Sequence, residues 1–260
     1  MTTSNLLPCF VCGKETNSRC PLCSKAGFET SFCSREHQVL VWPTHSKLCG
    51  EKANPFRWPL PSPAELEYLK ANAKKIDPLT GLSIAGSFSR LLPGVPVERL
   101  LNDLSREGSP LPPAIFAPLL TSARSVELGQ YEASLTSPSS GSSSSSASPK
   151  PLLPLPLLRA SNLAFNIYTL FTSKPGLWSA DPTASVWWTP LHARIVQLTT
   201  VHDVMVNAAG KDEKLREDTE KWYVEIEQDL RKFLAGPAVG LSEADIQDAV
   251  GDFLEAPTNE

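Results

Sequence analysis

The residues with the clearest chemistry are six cysteines and two histidines in the first fifth of the chain. They form four pairs: Cys9/Cys12, Cys20/Cys23, Cys33/His37 and His45/Cys49. A C-x-x-C turn lets two thiolates converge on one tetrahedral ion at sulfur–metal distances of about 2.3 Å. The other two pairs are spaced by one helical turn, so each can offer two ligands from one face of a helix. Eight such ligands predict two closed metal sites.

Zinc is the metal that this ligand set favours, because mixed thiolate and imidazole ligands suit it and it needs no redox partner. A closed site leaves no position for water, which indicates a structural role rather than a catalytic one. No cysteine follows Cys49, and thiols crowded into one short segment favour metal binding over disulfides. A segment of about 45 residues cannot bury enough apolar surface to fold alone, so zinc is expected to be required for its fold. The spacing leaves open which pairs share an ion.

These residues resemble a MYND-type zinc finger over residues 9–49. The motifs that carry the resemblance are Cys9-Phe-Val-Cys12, Cys20-Pro-Leu-Cys23, Phe32-Cys33, His37-Gln38, Trp42 and His45-Ser-Lys-Leu-Cys49. His37 stands where the family usually has cysteine, and an imidazole can replace a thiolate on zinc. The resemblance implies interleaved ligation of two Zn²⁺ ions. The first is expected on Cys9, Cys12, Cys33 and His37, and the second on Cys20, Cys23, His45 and Cys49.

The resemblance also implies a role: fingers of this family recognise short Pro-rich peptides in partner proteins. The peptide groove is associated with the positions of Gln38 and Trp42. An aromatic plane suits a preformed polyproline helix, and a side-chain amide can hydrogen-bond its free carbonyls. Two plainer interpretations remain open, in which Trp42 packs against the zinc core and Gln38 is a solvated helix position.

Three alternatives to this function are open: a methyltransferase, a nucleic-acid-binding regulator and an enzyme in the helical region. MYND fingers also occur in lysine methyltransferases, but no segment of the chain resembles such a catalytic domain. A nucleic-acid-binding regulator is the second alternative. Residues 1–52 carry six basic and four acidic side chains, a net charge of +2 that is too mild for a strong phosphate-binding patch. His192 and His202 are expected to be hydrogen-bonded residues of a half-buried helix, and no catalytic motif occurs. The sequence therefore predicts a binding protein and not an enzyme.

Composition narrows the class of protein. The net charge is −4 and the pI is about 5.7, so the chain as a whole has no electrostatic attraction to nucleic acid or to an anionic membrane. No secretory signal and no apolar run of about 18 residues is visible. We expect an intracellular protein with protein partners and no membrane contact. The sequence does not decide between nucleus and cytoplasm or fix the oligomeric state.

The fold class predicted is a small zinc-bound α+β finger followed by a mainly α-helical region with a disordered Ser/Pro-rich linker. Four segments are expected: the finger at 1–52, a helical region at 53–133, the linker at 134–156 and a C-terminal helical region at 157–260. The linker contains the five serines Ser142 to Ser146 and a Pro-Leu-rich stretch from Pro149 to Pro156. That stretch is itself a candidate ligand for the finger, held near it by a flexible tether.

Periodicity and capping residues place the helices. Ser62 is expected to cap one helix as part of a capping box with Glu65. The predicted helices cover Ser62 to about Lys75, Pro96–Glu107, Ala114–Tyr131, Leu157–Phe171, Trp187–Ala209, Asp212–Leu234 and a last helix opened by Ser242. The helix from Asp212 is amphipathic, with Trp222, Ile226, Leu230 and Phe233 along one face.

Overall fold

The structure is a computed structural model that describes residues 6–50, 58–77, 81–111, 113–136, 151–173, 187–208 and 212–254. Contacts between Cα atoms group the chain into two compact units. One contains residues 1–59, 170–178 and 183–260, and the other residues 60–169 and 179–182. The predicted segment boundaries after residues 52, 133 and 156 stay predictions. Residues 137–150 of the predicted linker lie outside the described residues.

The finger is built from two short strands and two helices. Strands β1 (Leu7–Pro8) and β2 (Glu15–Thr16) pair antiparallel, with Leu7 opposite Thr16. Helix α1 (Pro21–Lys25) begins directly after Cys20, and helix α2 (Arg35–His45) begins after Ser34, whose side chain accepts a hydrogen bond from the His37 N–H. This is the small α+β finger that the sequence predicts.

The second unit is helical. Its helices are α3 (Pro63–Asn72), α4 (Ile84–Leu91), α5 (Val97–Ser105), α6 (Pro113–Thr136) and α7 (Leu155–Ser173), the last of which ends in the first unit. All but α4 were predicted, although α6 is longer at both ends. Helix α4 has a weak sequence signal, because it is only eight residues long, contains Gly86 and is marked mainly by the Ser83 cap. In the structure its Ile84 and Phe88 side chains are buried.

Three further helices complete the unit that contains the finger. They are α8 (Trp188–Asp203), which continues as a π-helical segment at Val204–Ala208, α9 (Glu213–Ala235) and α10 (Glu243–Leu254). Helix α9 begins after Asp212, whose side chain accepts a hydrogen bond from the Leu215 N–H at 3.0 Å. The buried face of α9 carries Tyr223, Ile226, Leu230 and Leu234, so two of the four predicted positions, Trp222 and Phe233, lie beside the buried face rather than within it. Among the described helices, none has the length and apolarity needed to cross a bilayer.

The role expected of Glu65 is wrong in one respect. Ser62 does cap α3, since its hydroxyl accepts a hydrogen bond from the Glu65 N–H at 3.2 Å. The Glu65 carboxylate, however, accepts two hydrogen bonds from Arg124 of α6, at 2.8 Å from Nε and 3.3 Å from Nη2. The side chains are 1% and 0% exposed, so a fully buried ion pair joins α3 to α6. A buried carboxylate is stabilised far more by a bidentate guanidinium than by its own helix terminus.

Removing one partner of this pair is predicted to destabilise the second unit. Glu65→Ala leaves the Arg124 guanidinium buried without its carboxylate, at a cost of about 3–5 kcal/mol of unfolding free energy. Urea denaturation followed by circular dichroism measures the loss. The control is Glu67→Ala on the same helix, where an exposed Glu67–Lys70 pair contributes at most about 1 kcal/mol. Equal midpoints for the two variants would contradict the prediction.

Glu127 of α6 is a second buried carboxyl near this pair. Burial raises its pKa to about 7; the neighbouring Glu65 adds to the rise, while Arg124 and a backbone hydrogen bond from Leu152 act against it. The folded protein therefore holds the proton of Glu127 over a pH range in which the unfolded chain has lost it. Unfolding free energy consequently falls as the pH rises from about 4.5 to about 7.

Glu127→Gln is predicted to remove this fall in unfolding free energy. The amide stays neutral and can still accept the Leu152 hydrogen bond, so the unfolding free energy of the variant should exceed that of the native chain from pH 5 upward. The gain reaches about 3 kcal/mol near pH 8, as a shift of about 2.5 pKa units implies. Urea titrations at pH 5, 6.5 and 8 measure it, with the exposed Glu98→Gln of α5 as the control. A stability difference that is independent of pH would refute the assignment.

Candidate metal centre

The eight predicted ligands lie in two groups. Within each group the four ligand atoms lie within 4.8 Å of one another. The groups are Cys9, Cys12, Cys33 and His37, and Cys20, Cys23, His45 and Cys49. The interleaved arrangement that the resemblance implies is therefore the one that the fold produces.

The first group is assembled by the β1–β2 hairpin and the start of α2. Cys9 and Cys12 lie in the turn between the strands, which the hydrogen bond from the Cys9 N–H to the Lys14 carbonyl closes at 2.9 Å. Nδ1 of His37 lies 3.5 Å from Cys9 Sγ and 3.3 Å from Cys33 Sγ. The sulfur atoms of Cys12 and Cys33 are 3.7 Å apart. His37 thus takes part through Nδ1, in the position where the family usually has cysteine.

The second group is assembled around α1 and the end of α2. Cys20 is the residue directly before α1, and its backbone N–H donates a hydrogen bond to the Thr30 carbonyl at 2.8 Å. Nε2 of His45 lies 3.4 Å from Cys20 Sγ and 3.7 Å from Cys23 Sγ. Cys49 Sγ lies 3.5 Å from Cys20 Sγ and 3.6 Å from Cys23 Sγ. The two histidines therefore face their groups with different ring nitrogens.

These separations fit tetrahedral zinc. Ligands about 2.3 Å from a tetrahedral ion lie about 3.8 Å from one another, and slightly closer where one of them is nitrogen. The sulfur–sulfur distances of 3.5–3.7 Å and the nitrogen–sulfur distances of 3.3–3.7 Å match this geometry without rearrangement. Each group is thus a site for one zinc ion with four protein ligands.

Burial controls the protonation of the ligands. It raises the pKa of the Cys12 thiol to about 12, and in Cys9 the same effect is outweighed by His37 and backbone N–H groups, which lower the pKa to about 6. Burial also lowers the pKa of His45 to about 4, which keeps the imidazole in the neutral form that binds metal. A divalent ion supplies the positive charge that the remaining thiols need in order to ionise.

One geometric expectation needs correction. Cys33/His37 and His45/Cys49 were expected as helical i, i+4 pairs, but α2 spans only Arg35–His45. Cys33 precedes the Ser34 cap, and Cys49 follows the end of the helix. Each pair therefore combines one side chain of the helix with one from the adjoining loop, because a cysteine outside the helix can turn toward the C-x-x-C pair.

The finger core extends to residues that sequence reasoning did not associate with it. The buried cluster around Cys9, Val11, Phe32 and Val41 also contains Val204 from the π-helical segment, and Leu215 of α9 packs against it. The C-terminal helices therefore complete the apolar core of the finger. The only sequence signal for this was the apolar character of these positions, which gives no indication of a partner so distant along the chain.

The predicted peptide-binding residues lie on α2. Trp42 is 44% exposed and Gln38, one turn earlier, is partly buried. The Trp42 ring also lies 5.9 Å from the His45 ring, measured between centroids. The Trp42 ring therefore lies beside a zinc-ligand histidine while much of its surface stays open.

His192 and His202 do not converge on a shared site. They lie about 15 Å apart along α8, as ten residues of helix require. The His192 ring meets Trp58 edge-on at 4.1 Å, whereas His202 lies 5.8 Å from Tyr223. Neither ring nitrogen of His192 has a hydrogen-bond partner among the described residues, so the expectation of a hydrogen-bonded histidine is wrong there.

Comparison with known proteins agrees with the geometry. Residues 9–49 match the family model of the MYND finger. Neither the curated proteins nor the solved structures contain a match to the chain. Residues 9–49 are thus a MYND finger, a zinc-binding module commonly used in protein interactions.

His37 is predicted to be a true ligand, which zinc stoichiometry can test. His37→Ala removes Nδ1 from the first group, so zinc per chain should fall from two toward one after equilibration with a competing chelator. His37→Cys should restore two. Mass-spectrometric metal analysis of the full-length protein gives the ratio.

The neighbouring Gln38→Ala serves as the control, because Gln38 belongs to neither group and should leave two zinc ions bound. Retention of two ions by His37→Ala under the same chelator would show that the imidazole is not a ligand.

Proposed function

We propose that the MYND finger binds short Pro-rich segments of partner proteins through Gln38 and Trp42, and that the chain is an intracellular binding module rather than an enzyme. The observation that carries the proposal is the exposed indole of Trp42 on a helix whose other side is packed. The following contacts support it.

The two sides of α2 have different surroundings. Val41, Thr44 and His45 line a small cavity of about 20 Å³ together with Val196 and Thr200 of α8. That side of the helix is closed by the chain itself. On the other side, Trp42 lies one helical turn after both Gln38 and Val39, so the three side chains share one face. Val39 is 60% exposed and Trp42 is 44% exposed. An apolar stripe with one amide is therefore available to a partner.

A Pro-rich segment matches this stripe chemically. A polyproline helix presents flat apolar rings and carbonyls that have no internal hydrogen bond. The indole and Val39 offer an apolar surface for the rings, and the Gln38 amide can donate to a carbonyl. The ligand is also already extended, so it loses little conformational entropy on binding.

The ligand is proposed to come from another protein. In the chain's own Pro-Leu-rich stretch, Leu153 and Pro156 are buried, and α7 begins at Leu155. These side chains belong to the second unit and would have to leave it before they could serve as a ligand. A partner in trans does not carry that cost.

The zinc sites support a binding role rather than a catalytic one. Each has four protein ligands at tetrahedral separations, so zinc there has no open position for water or substrate. What zinc supplies is the rigid placement of α2, on which the exposed stripe lies.

A peptide-display selection tests the proposal. The native full-length protein, loaded with zinc, is presented with a random library, and binding of selected peptides is measured by calorimetry. Selected sequences are expected to be rich in proline. Trp42→Ala should weaken their binding about tenfold or more, as is usual for a central tryptophan.

Val224→Ala is the matched control, since Val224 is an exposed apolar residue on α9, 48% exposed, outside the stripe. Metal analysis first establishes that each variant holds two zinc ions. Selection without proline enrichment, or equal affinity of the native protein and Trp42→Ala, would overturn the proposal.

A further inference from the structure

A tryptophan of α9 contacts the turn that holds the first zinc-binding pair. The indole N–H of Trp222 donates a hydrogen bond to the Phe10 carbonyl at 3.3 Å, across 212 positions of sequence. Gly13 lies against the face of the same ring, where a Cβ would fall 2.5 Å from Cε3 and 2.8 Å from Cδ2. Gly13 also has φ of +69°, a conformation that favours glycine. The turn and the indole ring are thus in close contact at two points.

The carbonyl that Trp222 binds belongs to the turn between the first two ligands. Phe10 and Val11 are the two residues between Cys9 and Cys12, and Gly13 directly follows Cys12. The same turn is closed by hydrogen bonds from the Gly13 N–H to the Cys9 carbonyl and from the Cys9 N–H to the Lys14 carbonyl, each at 2.9 Å. The indole therefore contacts the turn both between its two ligands and directly after them.

Two other contacts hold α9 in place beside the finger. Leu215, in the first turn of α9 after the Asp212 cap, packs on the finger core, and Val204 of the π-helical segment is buried within it. Trp222 lies about two turns of helix beyond Leu215, so its ring is delivered to the turn by a helix that is anchored at its start.

We propose that Trp222 is a positioning residue for the first zinc site: through the Phe10 carbonyl and the face of Gly13 it holds the Cys9–Cys12 turn in the conformation that binds zinc. The residue acts on the metal through this turn and does not touch the ion. Outer partners of this kind typically change metal affinity by about 10- to 100-fold. Helix α9 therefore helps to shape the first metal site.

The expected effect is selective for one site. Trp222 contacts Phe10, which lies between Cys9 and Cys12, and Gly13, which follows Cys12. The second site takes its ligands from the start of α1, the end of α2 and Cys49. Loss of the indole N–H should accelerate zinc loss from the first site and leave the second nearly unchanged.

Cysteine alkylation in the presence of a chelator, read by mass spectrometry, resolves the two sites in the full-length zinc-loaded protein. In Trp222→Phe, which keeps an aromatic ring and removes the N–H, alkylation of Cys9, Cys12 and Cys33 should be about tenfold faster than in the native chain. Alkylation of Cys20, Cys23 and Cys49 should change less than about twofold. The matched control is Trp187→Phe, the same substitution at a partly buried tryptophan directly before α8, which should not accelerate the first-site cysteines.

A second variant approaches the contact from the other side. Gly13→Ala keeps the indole and pushes the ring from the turn, so it should give the same site-selective acceleration if Trp222→Phe fails to fold. Unchanged first-site rates in the variants would overturn the proposal. Equal acceleration of both sites would overturn it as well, because Trp222 would then only stabilise the unit as a whole.

Discussion

The order of the zinc ligands along the chain constrains everything else in the finger. The first ion draws on Cys9, Cys12, Cys33 and His37, and the first pair of the second ion lies between these halves. Neither site can close without bringing the other's ligands near their positions, so the two metals organise one loop-rich segment as a single unit. The free energy of metal binding thereby replaces the large apolar core that so short a segment cannot build.

The finger nevertheless has an apolar core, and it is shared with the end of the chain. Val204 is buried among Cys9, Val11 and Val41, and the partly buried Leu215 packs against them, so helices about 150 residues or more downstream complete this core. This explains why the compact unit is not contiguous in sequence. Contacts of such long range cost more loop-closure entropy than local ones, and a finger ordered by metal offers them a preformed surface on which to dock.

The sequence predicted what depends on spacing and missed what depends on distant contact. Four pairs of ligands and the cap at Ser62 follow from local geometry, and the structure has them. The pairing of Glu65 with Arg124 joins residues 59 positions apart, and no local pattern distinguishes such a carboxylate from one in a capping box. Cys33 and Cys49 were placed on helices because a four-residue spacing describes a helical turn and a loop beside a helix equally well. Helix α4 is too short and too rich in serine and glycine for periodicity to detect.

Helix α2 links the zinc sites and α8 to the proposed peptide-binding surface. Helix α8 closes one side, and the zinc ions fix both ends of α2 through His37 and His45. The backbone of α2 that carries Gln38, Val39 and Trp42 is therefore ordered before the proposed partner binds, and the Trp42 ring lies beside the His45 ring. A surface that is already ordered loses little entropy on binding, which would favour a short extended segment as the ligand. Because zinc and α8 both hold α2, the order of this surface depends on both.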